Sequence, residues 1–290
     1  MPVVVVTDSS SRLPAAVADY YGIRQVPLHL NLDGTDYLEG VDEVPADIVS
    51  RTGVTTSGAN PHDIAEVLGP AVEASDGAGV VAVHMSRRLS GTWSAARLAA
   101  EEYPGLVRVV DSRSVGLGVG FAALGAAQAA LGGADRDRVY EAAIRQASTI
   151  DSLMAVQRLD NLRNSGRISA ASKMLGSALS IKPILNVVDG VLTLSERHRT
   201  FSKALDKMID AAVDFAGDRS VTLGVQHCQA PEVARDVADR LRERVRLVSS
   251  ELTVELGPVL GAHVGPGAVG VVVATHLEPI AGVDDVSVVE

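Results

Sequence analysis

Val3-Val4-Val5-Val6-Thr7-Asp8-Ser9-Ser10-Ser11 sets four β-branched residues in a row before a run of short polar side chains. An apolar run without alternation is the pattern of a strand buried on both faces. With a polar loop at its carboxyl end and a helical pattern over 13–21, it predicts the first unit of an open parallel sheet. The pattern repeats down the chain, with strands expected over 79–84 and 107–110 and helices over 91–103, 120–131 and 135–149. Strands and helices in that order imply βαβ units.

After residue 149 the texture changes. Strands are expected over 152–157 and 181–187, and Asp189-Gly190 reads as a hairpin turn into a third strand over 191–196. Helices over 201–215 and 231–244 and strands over 221–227, 245–254 and 267–274 complete a mixed α/β pattern. The expected organisation is an N-terminal α/β domain with a parallel sheet over 1–149, a C-terminal mixed α/β domain over 150–280, and an acidic tail over 281–290. Two packed domains leave a cleft between them, a common ligand site.

Composition narrows the ligand classes. Hydrophobic residues make up 47% of the 290 residues but aromatics only 3%, so a cavity here would have aliphatic walls suited to alkyl chains. A net charge of −10 argues against a nucleic-acid partner, which calls for concentrated Lys and Arg. The run Arg240, Arg242, Arg244 and Arg246 alternates along a helix end and reads as a solvated face. Cys228, the single cysteine, rules out an intrachain disulfide and a cysteine-based zinc site, and fits a small core residue. No dense histidine spacing suggests a metal. The opening residues carry no basic leader, and no apolar run reaches a membrane span, so a cytoplasmic protein is expected.

Hydroxyl-rich loops follow the apolar strands: Thr7-Asp8-Ser9-Ser10, Thr55-Thr56-Ser57-Gly58, the stretch from Ser86 to Ser90-Gly91-Thr92, and Asp111-Ser112. At the carboxyl end of an open α/β sheet such loops converge on one crevice, where hydroxyls and helix N-terminal amides can hold an anion. Ser90 also suits a simple helix cap. No Gly-Lys dipeptide exists to form a phosphate-binding loop, and the glycines at 116, 118 and 120 have the wrong spacing for a dinucleotide fingerprint; they read as a strand-to-helix turn. A Gly-x-Ser-x-Gly elbow is also missing, although Ser90, His263 and Asp8 can be drawn as a hydrolase triad. The run 255–268 frames one imidazole, His263, with glycines, prolines and aliphatic residues, where backbone can approach a ligand closely.

Six motifs taken together are similar to the DegV family in order and spacing. They are Asp8-Ser9, Leu89-Ser90-Gly91-Thr92, Val110-Asp111-Ser112, Gly166-Arg167-Ile168-Ser169, Arg199-Thr200 with Lys203-Ala204, and Gly257-Pro258 through His263 to Gly265-Pro266-Gly267. The resemblance spans about residues 3 to 275 and implies a two-domain DegV-like fold. It implies a non-catalytic fatty-acid-binding subunit of a bacterial fatty acid kinase, with a role in phospholipid metabolism. Its partners would be the fatty acid, a kinase subunit related to dihydroxyacetone kinase that makes the acyl phosphate, and transiently the membrane surface; no cofactor is implied. The carboxylate would be held by Thr56, Ser90 and His263, with Arg167 and Arg199 near the pocket mouth and Ser57, Gly91, Thr92 and Gly265 in the pocket loops. A serine-dependent hydrolase and a carrier of another amphipathic carboxylate or lipid are the alternative readings.

Two departures from the family pattern stand out. The family's Thr-Ser-Gln-Pro-Ser/Thr-Pro is Thr56-Ser57-Gly58-Ala59-Asn60-Pro61 here, and its Ser-Ser-x-Leu-Ser-Gly-Thr is Ser86-Arg87-Arg88-Leu89-Ser90-Gly91-Thr92. The energetics fit a carrier independently of the family. About 14 buried methylenes contribute on the order of 11 kcal/mol before association costs, whereas each hydrogen bond to the carboxylate adds roughly 1.5–3 kcal/mol. The head-group contacts therefore govern orientation more than strength.

Overall fold

β1 (Val4–Asp8) is flanked in a four-stranded parallel sheet by β2 (Arg24–Val26) and β6 (Val80–His84), and β7 (Val107–Asp111) lies beyond β6. The computed structural model describes residues 2–169 and 181–281; most of the expected acidic tail therefore lies outside the described residues. The β1 side chains divide by parity. Val6 joins one core with Val80 and Ala82, and Val3 and Val5 join another with Val81 and Val83. Both faces are covered by helices, which is why these strands are apolar throughout. α2 (Pro61–Ala74) and α3 (Thr92–Ala99) cover the first face through Ile64, Leu68 and Ala96, while α4 (Leu117–Leu131) and α5 (Arg136–Ala147) cover the second through Phe121 and Val139.

α4 is apolar on every side because it lies between two sheets. Its core also includes Leu252, Val272 and Ala274, from the second sheet. That sheet has six strands in the order β10 (Val191–His198), β9 (Lys182–Val188), β8 (Ile150–Ala155), β13 (Val269–Thr275), β11 (Ser220–His227), β12 (Leu247–Glu255). All its pairs are antiparallel except β11 with β12, so the sheet is mixed. The molecule is thus an α/β protein with a parallel sheet in its N-terminal part and a mixed sheet in its C-terminal part. α7 (Phe201–Ala216) and α8 (Pro231–Arg244) pack a separate core on the mixed sheet. The arginine run at the end of α8 is taken up by ion pairs, such as Arg242 with Asp239 and Glu251 and Arg244 with Asp210.

Several elements depart from the sequence expectation. α4 begins at Leu117 with Gly116 as its cap, so the glycines at 118 and 120 form its first turn rather than a loop before it. A three-stranded antiparallel sheet, β4 (Thr35–Leu38), β3 (His29–Leu32), β5 (Thr55–Ser57), occupies a region where no strand was expected. The glycine-rich C-terminal run contains α9 (Gly257–Val264), with Pro258 in its first turn and Gly265 at φ 77° ending it. Among the described residues, no helix is long and apolar enough to cross a membrane.

Candidate functional site

The small sheet and α9 meet over the gap between the two large sheets. β5 pairs with β3 in the register Leu30 to Thr56 and His29 to Ser57, which fixes where the Thr56 hydroxyl points. Immediately downstream, Asn60 and Asp63 form a capping box at the start of α2, with Pro61 in the first turn. On the other side, His263 stands in the last turn of α9. Thr56 Oγ1 and His263 Nε2 are 2.7 Å apart across 207 positions of sequence. Burial, helped by the Arg167 guanidinium, pushes the His263 imidazole down to about 4, so it is neutral at physiological pH.

The residues around this contact line a narrow cavity of about 60 Å³. Its walls are aliphatic, with Leu28, Met85, Leu89, Met154, Leu162 and Leu260 among them, and both the N-terminal and C-terminal parts contribute. Polar groups gather around Thr56, Ser57, Ser90, Arg167 and His263. Thr56, Arg167 and His263 also line an adjoining recess whose other walls include Thr52, Asn161, Asn164 and Ser165. These three side chains form a boundary between an apolar chamber and a polar one.

Arg167 donates from Nη1 to the Ser165 carbonyl at 2.7 Å and from Nε to the Leu89 carbonyl at 3.3 Å. Among the described residues it has no carboxylate partner, so its charge is directed by carbonyls and available to an anion. Ser90 lies just before α3, 2.9 Å from the Thr92 hydroxyl, and accepts from the Thr92 amide at 3.3 Å. It is a cavity hydroxyl and not the expected helix cap, because Gly91 holds the cap position of α3 and no side chain caps it there. Gly58 lets the two loops close: a Cβ there would lie 2.6 Å from both Ser90 Oγ and Thr92 Oγ1.

The structure thus brings together Thr56, Ser57, Ser90, Arg167 and His263, with Thr92 behind Ser90 and Gly91 as the residue before α3. It does not bring Gly265 or Arg199 to the cavity wall. Gly265 ends α9 facing Asn161, and Arg199 is exposed between β10 and α7.

Asp8 and Ser9, expected among the crevice loops, do other work. Asp8 is sealed inside, accepting from the Met85 amide at 3.0 Å, bonding His84 Nδ1 at 3.0 Å, and bonding Ser10. The paper triad of Ser90, His263 and Asp8 is therefore not assembled, because the carboxylate serves His84 and the imidazole serves Thr56. Ser9 accepts from the Leu28 amide and donates to Glu39 at 2.6 Å. The other oxygen of Glu39 accepts the Val259 amide at 3.0 Å in the first turn of α9. Glu39 therefore seats the helix that carries His263. Sequence reasoning missed it, since a single acidic residue in a loop gives no signal.

Comparison with known proteins agrees with this architecture. The family model described as "Uncharacterised protein, DegV family" matches residues 2–276. A DegV domain-containing protein of Mycobacterium tuberculosis is 50% identical over 281 residues, covering 97% of this chain and all of the relative. A solved structure presented as fatty acid binding of a DegV family protein from Thermus thermophilus has a TM-score of 0.88 at 32% identity, covering 95% of this chain and 100% of its own. The Bacillus subtilis DegV structure, described as a fatty acid binding protein, has a TM-score of 0.83 at 26% identity over 95% of this chain and 99% of its own. On its sequence and its fold alike, the chain belongs to the DegV family.

Proposed function

We propose that this protein is a fatty acid carrier that buries the acyl tail in the aliphatic cavity and holds the carboxylate among Thr56, Ser57, Ser90 and His263 beside Arg167. The observation that carries this reading is the boundary itself: a narrow apolar chamber ends at hydroxyls, a neutral imidazole and a carbonyl-held guanidinium, and beyond them lies a polar recess. Such an end group favours an anion, because the imidazole adds no charge of its own and Arg167 supplies one. The fatty acid binding described for the Thermus and Bacillus relatives supports the same ligand class.

In this reading the protein is not itself an enzyme. The carboxylate faces the polar recess, where a kinase subunit related to dihydroxyacetone kinase phosphorylates it to the acyl phosphate for phospholipid metabolism. Arg199, exposed and away from the cavity, suits kinase docking better than carboxylate binding. The carrier works in the cytoplasm with transient membrane contact, and its halves divide at residues 149 and 150. Organic extraction of the purified protein followed by mass spectrometry tests the core of the proposal, with a long-chain fatty acid as the expected finding. Finding none, together with no uptake of added oleate or palmitate, would refute it.

A further inference from the structure

One side chain in the cavity wall has no part in holding a carboxylate. Gln226, on β11, is 2% exposed and lines the aliphatic chamber. Its conformation is fixed on three sides. Oε1 accepts the Leu117 amide at 3.0 Å at the start of α4. A Cβ on Gly116 would overlap the carboxamide, and a Cβ on Gly270, its register partner on β13, would lie 3.2 Å from Gln226 Cγ. Because the Leu117 N–H is a donor, the carboxamide oxygen must face it, and that settles which end is nitrogen. Nε2 is then the other end of the carboxamide, which also packs beside Gly116. Among the described residues it has no hydrogen-bond partner, and it is not one of the polar atoms sealed inside the protein.

We infer that Gln226 Nε2 is a hydrogen-bond donor to the acyl chain, and that the cavity selects long-chain acids carrying an oxygen acceptor, a hydroxyl or a keto group, along the chain. The argument is one of asymmetry. A saturated chain filling the cavity leaves the two N–H groups dehydrated and unpaired, and a site with an unpaired buried donor discriminates against ligands that cannot satisfy it. Conversely, an aliphatic cavity without a donor must disfavour a hydroxylated chain, since the hydroxyl loses its water for nothing. A preference for the oxygenated acid that disappears with the carboxamide is therefore diagnostic of Gln226, since the hydroxyls of Thr56, Ser57 and Ser90 line the same cavity.

This inference rests on the carrier reading, and the experiment separates the two. Affinities of the intact protein are measured by calorimetry for stearate and for a series of monohydroxystearates with the hydroxyl at successive mid-chain carbons. The expected result is that at least one positional isomer binds roughly tenfold more tightly than stearate, equivalent to about 1.4 kcal/mol. In Gln226→Met, which keeps the volume and removes the donor together with the acceptor for the Leu117 amide, stearate binding should be retained and the hydroxy acid should lose its advantage. Retained stearate binding shows that the variant is folded. If that variant fails to fold, the wild-type series can still overturn the inference. Tight stearate binding with every hydroxy isomer weaker would overturn the Gln226 inference and leave the carrier standing, whereas no binding of any acid would overturn both.

Discussion

Glu39 and Val259 stand 220 positions apart, yet the Val259 amide donates to Glu39 Oε1 at 3.0 Å inside the protein. Glu39 is 3% exposed, and its other oxygen takes the Ser9 hydroxyl. A carboxylate at the first turn of a helix satisfies a free amide and complements the helix dipole. Here it ties the first loop after β1 to the helix presenting His263. The Asp8-Ser9 motif thus reaches the candidate site by way of Glu39, not by touching a ligand.

Removing that carboxylate should loosen the site from a distance. Glu39→Ala leaves the Val259 amide and the Ser9 hydroxyl unpaired, with an expected loss of about 1.5–3 kcal/mol for a hydrogen bond to a charged group. Glu39→Gln keeps an acceptor for Val259 and should lose less. Urea unfolding measures the difference, and fatty acid affinity should fall in the same order. Equal stability of all three proteins would contradict this role for Glu39.

Acid should destabilise the protein through His263. Its folded value of about 4 lies below the usual 6.5, so as pH falls from 6.5 the unfolded chain takes up a proton that the folded protein refuses. The cost grows down to about pH 4 and then levels off, reaching on the order of 3 kcal/mol. His263→Asn should flatten that part of the stability profile. Denaturant midpoints across the interval provide the check.

His29 should act in the opposite direction. Burial disfavours its charge, but hydrogen bonds to Asp63 at 2.8 Å and Asp36 at 2.7 Å outweigh burial and raise its pKa. The charged ring links β3 to β4 and to the first turn of α2, bracketing the strand that carries Thr56. Its stabilisation is complete below the unfolded value near 6.5 and is lost as pH rises through the raised folded value. As pH rises above about 6.5, melting temperature should therefore decline by more in the wild type than in His29→Asn.

Much of this was readable in the residues, for identifiable reasons. β1, β6 and β13 are buried on both faces, so their sequences are apolar runs with sharp ends. β2 to β5 have only three or four residues each and take their register from partners. Even so, Asp33-Gly34, both at positive φ between β3 and β4, is a hairpin signal, and Asn60-Pro61 with Asp63 is a helix-start signal. α9 was hidden because its glycines read as loop, whereas Gly261 is there to let the helix approach Cys228 and Val49. Thr56, Ser90 and His263 were legible as hydroxyls and an imidazole in glycine-framed loops. Glu39 and Gln226 were not, because their roles come from backbone amides far away in the chain.

Gly58 should be intolerant of side chains for a local reason. A Cβ 2.6 Å from the Ser90 and Thr92 hydroxyls forces both to move, while the backbone there is not at positive φ and is unstrained by alanine. Gly58→Ala should therefore cost about 1–3 kcal/mol of unfolding stability, because Thr92 is fully buried and its amide would also lie 3.1 Å from the new Cβ, and weaken fatty acid binding severalfold. An unchanged affinity would mean that Ser90 does not contact the ligand.

Tail and head-group contributions should separate cleanly. In the proposed pose Ser90→Ala removes one hydrogen bond to a charged group, so palmitate affinity should drop by about 1.5–3 kcal/mol at most. Shortening the acid by four methylenes in the wild type should cost about 3 kcal/mol through lost burial alone. The two changes act on different ends of the ligand, so their effects should add. Orientation, unlike affinity, depends only on the head group. With the proposed kinase subunit, acyl phosphate formation should therefore fall far more in Ser90→Ala than acyl retention does, and a shortened acid beside intact Thr56, Ser90 and His263 should still be phosphorylated once bound. If Ser90→Ala and chain shortening instead reduce phosphorylation of the bound acid equally, the hydroxyl at 90 is not what aims the carboxylate.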